Sequence, residues 1–309
     1  LDVGARDLGA YRAHFAQENA ATYVDKIFAR ANVKEVVMTN DPFDDQERPL
    51  WERDIDIDPR FKAALRIDPI LVDWEDASER LAEWGYDVTP VLDSSTLSEI
   101  RRFLEEWAKR MNALYMAVSL PPTFCFPDES ACSTVIAEAV VPVARELNIP
   151  FAMMIGVKRR VNPGIRLAGD GVGKADVNAV EHLCAEYPDN KFMVTMLARE
   201  NQHELCVAAR KFPNLLPFGC WWFLNNPSLI EEITRMRLEL LGLTVVPQHS
   251  DARVLEQVIY KWTHSRALIG DVLARKYADL AETGWAVTES AIRSDVDRLF
   301  SRNFVDFVG

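Results

Sequence analysis

A polar cluster lies between an apolar run and a helical pattern near the end of the chain. The run at 244–246 is typical of a short buried strand, and apolar residues with a helical period begin at Val254. Asp251 and Arg253 stand between the two. In α/β enzymes, side chains just past the carboxyl end of a strand face the crevice that holds the site. We therefore take this carboxylate and this guanidinium as the first candidates for chemistry.

Strands and helices alternate along the whole chain. Apolar runs predict seven strands, near residues 33–39, 61–67, 113–120, 150–157, 192–197, 215–222 and 244–250. Helical patterns separate these runs, including a helical segment at 74–111 between the second and third strands. Such alternation is typical of parallel βα units.

The number of strands decides between two arrangements of a parallel sheet. Because the chain opens with a helix, we interpret residues 1–309 as a single (β/α)8 TIM-type barrel domain of class α/β. Its first β/α unit is missing from the chain as given. An open Rossmann-like sheet is the alternative, although no G-x-G-x-x-G follows a first strand. A barrel that lacks one strand leaves parallel edges exposed, so we expect another segment or chain to cover the 33–39 strand.

The other predicted strand ends carry cations and aromatic rings. In a barrel, these ends converge on one mouth. Guanidinium groups bind carboxylates with two hydrogen bonds, and indole rings offer an apolar wall with one N–H donor. We expect the mouth to bind a small anionic, hydroxylated molecule such as a sugar acid. The residues predicted to contact it are Arg66, Arg159, Trp221, Trp222 and His249.

Three of these residues also have a purely structural interpretation. Arg66 could form a local ion pair with Asp68. Arg159 lies among neighbouring cations that a solvated loop would explain. Trp221 and Trp222 would point to opposite faces of a strand, so we expect one of them in the core.

The composition excludes several classes of function. The 309 residues carry a formal charge of −12, which argues against binding to nucleic acids and to anionic membrane surfaces. No apolar run approaches the roughly 20 residues of a membrane span. Five scattered cysteines without a C-x-x-C pair favour reduced thiols in a cytoplasmic protein. No H-x-H or H-E-x-x-H pair for a metal is present.

The motifs resemble those of the uronate (glucuronate) isomerase family, within the amidohydrolase superfamily of metal-dependent barrels. The run GCWWFLN at 219–225 is close to the family's W-W-F-N-D, and SDAR at 250–253 is close to its T-D-S-R. Less specific similarities precede them in the family's order, at 37–42, 64–69 and 154–159.

The resemblance implies a fold and an activity. The fold is a barrel of the metal-dependent hydrolase kind, and the activity is aldose–ketose isomerisation of a hexuronate by proton transfer between C1 and C2. Asp251 would be a metal ligand and would move the proton, while Arg66 and Arg253 would hold the carboxylate and hydroxyls of the substrate. Trp221 or Trp222 would line the pocket.

The resemblance also implies a divalent metal, with zinc as the first choice, and we expect a homo-oligomer that binds a small sugar acid. The metal site is incomplete in this sequence. The family's H-x-H belongs to the missing first strand, and Met154 stands where the family has a histidine. Two alternatives therefore stay open. One is another hydrolase or a decarboxylase of the superfamily, and the other is a non-catalytic sugar-acid-binding barrel in which Asp251 pairs with Arg253 or Arg266 and no metal binds.

Overall fold

The computed structural model describes residues 2–53 and 56–309 and is built around one parallel sheet. Its six strands follow the order of the chain, and an antiparallel hairpin of two short strands interrupts them between the fourth and fifth. In chain order the strands are β1 Val36–Asn40, β2 Phe61–Arg66, β3 Met116–Leu120, β4 Phe151–Ile155, β5 Val157–Lys158, β6 Gly171–Val172, β7 Phe192–Met196 and β8 Leu215–Pro217, with β5 and β6 forming the hairpin.

The order of the strands distinguishes the two predicted arrangements. An open Rossmann-like sheet reverses its strand order at a switch point, whereas a barrel adds each strand beside the previous one. The order β1-β2-β3-β4-β7-β8 has no reversal. The predicted α/β barrel is therefore confirmed, and the open-sheet alternative is wrong.

Helices flank the sheet and separate most of its strands along the chain. They comprise Leu8–Phe15, Ala20–Ala31, Arg48–Trp51, Asp68–Val72, Trp74–Glu83, Ser94–Met111, Ala131–Val135, Val141–Glu146, Asn178–Glu186, Gln202–Ala209, Pro227–Leu241, Gln257–Glu282, Glu289–Asp297 and Asn303–Val308. Ser94–Met111 shows how the sequence specifies them. The Asp93 side chain caps its start by accepting the Thr96 N–H at 2.8 Å, and Asn112 ends it with a left-handed φ of 48°.

The strand predicted at 244–250 is reduced to a single bridge. Val246 pairs in parallel with Phe218, and its N–H donates to the carbonyl of Pro217 at 3.1 Å. Pro247 follows at once and has no N–H to extend the ladder. The strand predicted at 215–222 likewise stops at Pro217. The polar residues after Pro247 consequently lie on a loop, as the end of the apolar run at Val246 predicted, and only the extension of the strand to residue 250 was wrong.

The inner face of the sheet is closed at one end by the last helix. Small and apolar residues align across neighbouring strands, with Ala117 beside Ala152 and Ala152 beside Met193. Phe304 and Phe307 of the helix Asn303–Val308 pack against this layer. The carboxyl ends of the strands lie at the opposite end of the barrel, where the candidate site residues are found.

The helices meet across the gap between the first and last strands. Arg266 donates to the main-chain carbonyls of Ala31 at 2.6 Å and Asn32 at 2.9 Å, and the Tyr23 hydroxyl donates to Glu256 at 2.8 Å. Among the described residues, no strand pairs with the outer edge of β1. The segment that we expect to cover this edge therefore stays a prediction.

Candidate active site at the mouth of the barrel

Asp251 lies in the loop after the Val246 bridge in an unusual backbone conformation. Its φ is 46°, and that of Trp222 is 47°, so both residues occupy the left-handed region that side chains other than Gly rarely adopt. The main-chain N–H of Trp222 lies near enough to the Asp251 carboxylate to act toward a lower pKa of that group. Lys261 donates a hydrogen bond to the main-chain carbonyl of Asp251. Such conformations cost about 1–3 kcal/mol each and persist only where surrounding contacts hold them.

Two cations lie close to the Asp251 carboxylate. Burial raises the pKa of this carboxyl group, and the charges of Lys261 and Arg253 act in the opposite direction. Within residues 2–53 and 56–309, no cation comes within 4.0 Å of the carboxylate, so neither Arg253 nor Arg266 forms an ion pair with it. One carboxylate beside two cations leaves this side of the mouth with an excess of positive charge.

The ring of His249 packs directly against Gly219, where a larger residue would leave no space for it. Gly219 has a φ of +68°, and a Cβ added there would lie 1.7 Å from Nδ1 of His249. The ring also contacts Phe218, with 5.4 Å between the ring centroids. Burial, together with the charges of Arg237 and Lys261, lowers the pKa of His249 to about 4, so the imidazole is neutral at neutral pH.

Gln248 fixes the start of the loop. This buried side chain accepts the N–H groups of Cys220 at 2.7 Å and His249 at 3.1 Å. Its amide donates to Asn225 and to Ser265, each at 3.2 Å. The sequence analysis did not single out Gln248. Its place directly after Pro247, at the predicted strand end, was the only available signal.

Arg237 is a second residue that the sequence analysis missed. It is only 1% exposed and donates to the carbonyl of Gly219 at 2.8 Å and to the Gln202 side chain at 3.3 Å. No acidic partner lies within salt-bridge distance in the part of the chain that the structure describes. A cation on the buried face of the helix Pro227–Leu241, one turn from Ile233, was the signal that could have identified it.

The two tryptophans form part of the wall of the mouth. Trp221 is buried against Val157 and Leu197, while Trp222 is partly buried against the same cluster. Their ring centroids are 6.0 Å apart, and Trp222 stacks on Phe223 at 4.7 Å. The expected core tryptophan is thus Trp221. The two residues do not alternate on a strand, because Trp221 directly precedes a 3-10 turn over Trp222–Leu224.

Arg66 lies in an acidic environment. It donates to Asp68 at 2.8 Å, so the local ion pair is present. Asp41 and Glu47 are also close enough to act on its charge. Three carboxylates around one guanidinium give this side of the mouth an excess of negative charge, opposite in sign to the surroundings of Asp251.

Arg159 is held within the loop between β5 and β6. Its guanidinium pairs with Asp170 at 2.7 Å, and the other carboxylate oxygen of Asp170 accepts the Arg160 N–H at 2.9 Å. These contacts lower the pKa of the Asp170 carboxyl group. Among the described residues, Arg159 makes no hydrogen bond or ion pair with Asp251 or Arg253, so the structure does not join it to that cluster.

The residues at the mouth do not complete a metal site. No group of three or more His, Cys, Asp or Glu side chains in the described parts of the chain could hold a metal ion. Asp251 lies near two cations, and Met154, at the position of the family's histidine, packs against the apolar cluster of Val157, Leu197 and Trp221. This donor set does not fit zinc, which takes four N, O or S ligands in structural sites and three from the protein in catalytic ones.

The fold and the mouth define an α/β barrel with a site at the carboxyl ends of its strands, and comparison with solved structures identifies the family. A uronate isomerase from Bacillus halodurans C-125 is 57% identical, with a TM-score of 0.97, over 100% of this chain and 73% of that chain. The chain belongs to the uronate isomerase family.

More distant structures share the fold. A uronate isomerase from Thermotoga maritima has a TM-score of 0.73 at 15% identity, over 92% of this chain and 69% of that chain. A glucuronate isomerase from Caulobacter crescentus has a TM-score of 0.73 at 17% identity, over 91% of this chain and 65% of that chain. No protein-family model matches the sequence, and no curated protein matches it significantly. None of the helices within residues 2–53 and 56–309 combines the length and apolarity needed to cross a bilayer.

Proposed function

We propose that the chain catalyses the aldose–ketose isomerisation of a hexuronate of the glucuronate or galacturonate type. The observation that carries this proposal is the 57% identity to a uronate isomerase over the entire chain. The acidic and cationic sides of the mouth support it, because a sugar acid has a hydroxylated end and an anionic end.

The reaction moves one hydrogen between neighbouring carbons without net oxidation. A base removes the proton from C2 of the open-chain aldehyde, and the electron pair forms an enediolate. The proton of the C2 hydroxyl passes to the C1 oxygen, which becomes a hydroxyl group, and the proton taken from C2 is delivered to C1. The C2 oxygen is then left as the ketone. In this proposal Asp251 is the group that carries the proton. Its place in the loop after the Val246 bridge, beside Lys261 and Arg253, supports this role.

The charges suggest how the substrate is oriented. Arg66 and Arg253 would together hold the carboxylate and the hydroxyl groups of the substrate. The two cations near Asp251 outnumber the one carboxylate, so they would stabilise the negative charge of the enediolate beside the group that carries the proton. Trp221, Trp222 and the neutral ring of His249 would form the apolar wall. Arg159 would contribute to substrate binding by holding the loop between β5 and β6, where it pairs with Asp170.

The binding of a divalent metal stays a prediction. Asp251 could supply one ligand to a divalent ion such as zinc, although the described residues include no group of three His, Cys, Asp or Glu side chains that could hold it. Metal analysis of the purified protein would test this. The homo-oligomer and the cytoplasmic location also remain predictions.

A substrate assay tests the proposed function. We would incubate the protein with D-glucuronate and D-galacturonate, with zinc supplied, and follow the ketose product by NMR. We expect conversion of at least one hexuronate and none of glucose, the matched neutral aldose. Release of carbon dioxide would favour the decarboxylase alternative. Absence of any conversion would leave a non-catalytic barrel as the better explanation.

A further inference from the structure

Lys261 links the site loop to a long helix. It lies in the second turn of Gln257–Glu282, and its partly buried ammonium group donates to the main-chain carbonyl of Asp251. The helix is anchored on either side of this point. Val258 and Ser265 are buried, and Ser265 accepts a hydrogen bond from Gln248 at 3.2 Å.

The hydrogen bond from Lys261 is made to a residue with an unfavourable backbone conformation. Asp251 has a left-handed φ of 46°, which an aspartate adopts at a cost unless its surroundings fix it. The main-chain carbonyl and the side chain of Asp251 are attached to the same Cα. The orientation of this carbonyl therefore determines the direction in which the Asp251 side chain leaves the backbone. A fixed donor on a rigid helix therefore restricts where the Asp251 carboxylate can lie.

We propose that Lys261 is a positioning residue for the isomerisation, which holds the Asp251 loop in its left-handed conformation. This inference rests on the proposed function for its kinetic consequence, although the structural consequence is independent of it. Lys261 acts through the main chain of Asp251 and is not assigned a contact with the substrate.

The chain provides a matched control for this contact. Lys191 donates to the carbonyl of Asn148 at 3.5 Å, and Asn148 is also left-handed, with a φ of 55°. These two residues precede β4 and β7, at the end of the barrel opposite the mouth. The variants Lys261→Met and Lys191→Met therefore remove the same kind of bond at the two ends of the molecule.

Kinetics provide the first measurement. We expect Lys261→Met to lower kcat by about 10- to 100-fold, as a displaced reacting group would, with KM changed less than about 3-fold. Lys261→Arg, which retains a donor and a long side chain, should recover most of kcat, and Lys191→Met should keep it. A rise in KM at unchanged kcat would overturn the proposal, because it would make Lys261 a substrate-binding group.

Amide hydrogen exchange provides a readout that needs no activity. In Lys261→Met, exchange at residues 249–253 should become faster by at least about 10-fold, with no change in Lys191→Met or Lys261→Arg. If the wild-type protein converts no hexuronate, the proposed function fails and exchange alone decides the role of Lys261. Unchanged exchange in Lys261→Met would overturn the proposal.

Discussion

At the scale of single residues, the site depends on three positions with positive φ. Gly219, Trp222 and Asp251 all have a positive φ. Of these three, Gly219 is the one whose residue type predicts this conformation from the sequence. The sequence predicted Asp251 as a candidate because a carboxylate follows an apolar run. It could not predict the left-handed backbone, since that conformation depends on contacts with Lys261 and Trp222 from other elements.

Substitution of Gly219 tests how closely His249 is seated. Gly219→Ala should lower the free energy of unfolding by more than Gly242→Ala does. Both glycines have positive φ, of 68° and 60°, so each alanine carries backbone strain of at least about 1 kcal/mol. At Gly242 a new Cβ meets nothing within 4 Å, whereas at Gly219 it would displace the His249 ring.

Urea unfolding of the two glycine variants measures this difference. We expect Gly219→Ala to lose at least about 2 kcal/mol more than Gly242→Ala, a loss in the range of an overpacked core. Equal losses would show that His249 does not occupy the space beside Gly219.

At the scale of elements, the helix Gln257–Glu282 joins the site to the start of the chain. Ser265 contacts Gln248, while Arg266 contacts the carbonyls of Ala31 and Asn32. The apolar period predicted a helix in this region. It gave no indication that Arg266 contacts residues more than 230 positions earlier, because such a contact has no local signal in the sequence.

Removal of Arg266 tests this closure of the helical ring. Arg266→Met keeps the apolar part of the side chain but removes two hydrogen bonds from a charged donor, so we expect a loss of about 2 kcal/mol in unfolding free energy. Arg275→Met on the same helix is the control. Arg275 pairs with Glu231 at 2.9 Å with its own side chain 56% exposed, and such pairs contribute at most about 1 kcal/mol.

Thermal and urea unfolding would compare the two arginine variants. A loss in Arg266→Met no larger than that in Arg275→Met would show that the contact between the helices Gln257–Glu282 and Ala20–Ala31 does not hold the ring together.

At the scale of the whole molecule, the alternation of strands and helices determined the fold class, while strand lengths depended on single residues. The predicted strands at 61–67 and 192–197 agree with β2 and β7 to within one residue at each end. The last two are shorter than predicted. Pro247 has no N–H for the ladder, and hydrogen bonding after β8 continues only to Gly219, where a φ of 68° turns the chain. The sequence identified most of the mouth by residue type. It missed Lys261, Gln248 and Arg237, since these lie on a helix face or on a buried side of the loop.

The same mouth collects opposite charges on its two sides although the protein carries −12 overall. Carboxylates surround Arg66, and cations surround Asp251. This separation arises only when the strand ends converge, so it follows from the barrel and not from any one motif. It suits a ligand with hydroxyl groups at one end and a carboxylate at the other.

The turnover of a hexuronate by Asp251→Asn tests the central claim most directly. Asparagine keeps the shape of the side chain but cannot accept the proton from C2, so we predict that kcat falls by about 100-fold or more. The unfolding midpoint should stay close to that of the wild type. Asp176→Asn, at an exposed helix start, should keep full activity. A wild-type kcat in Asp251→Asn would contradict the account, because the proton would then move without Asp251.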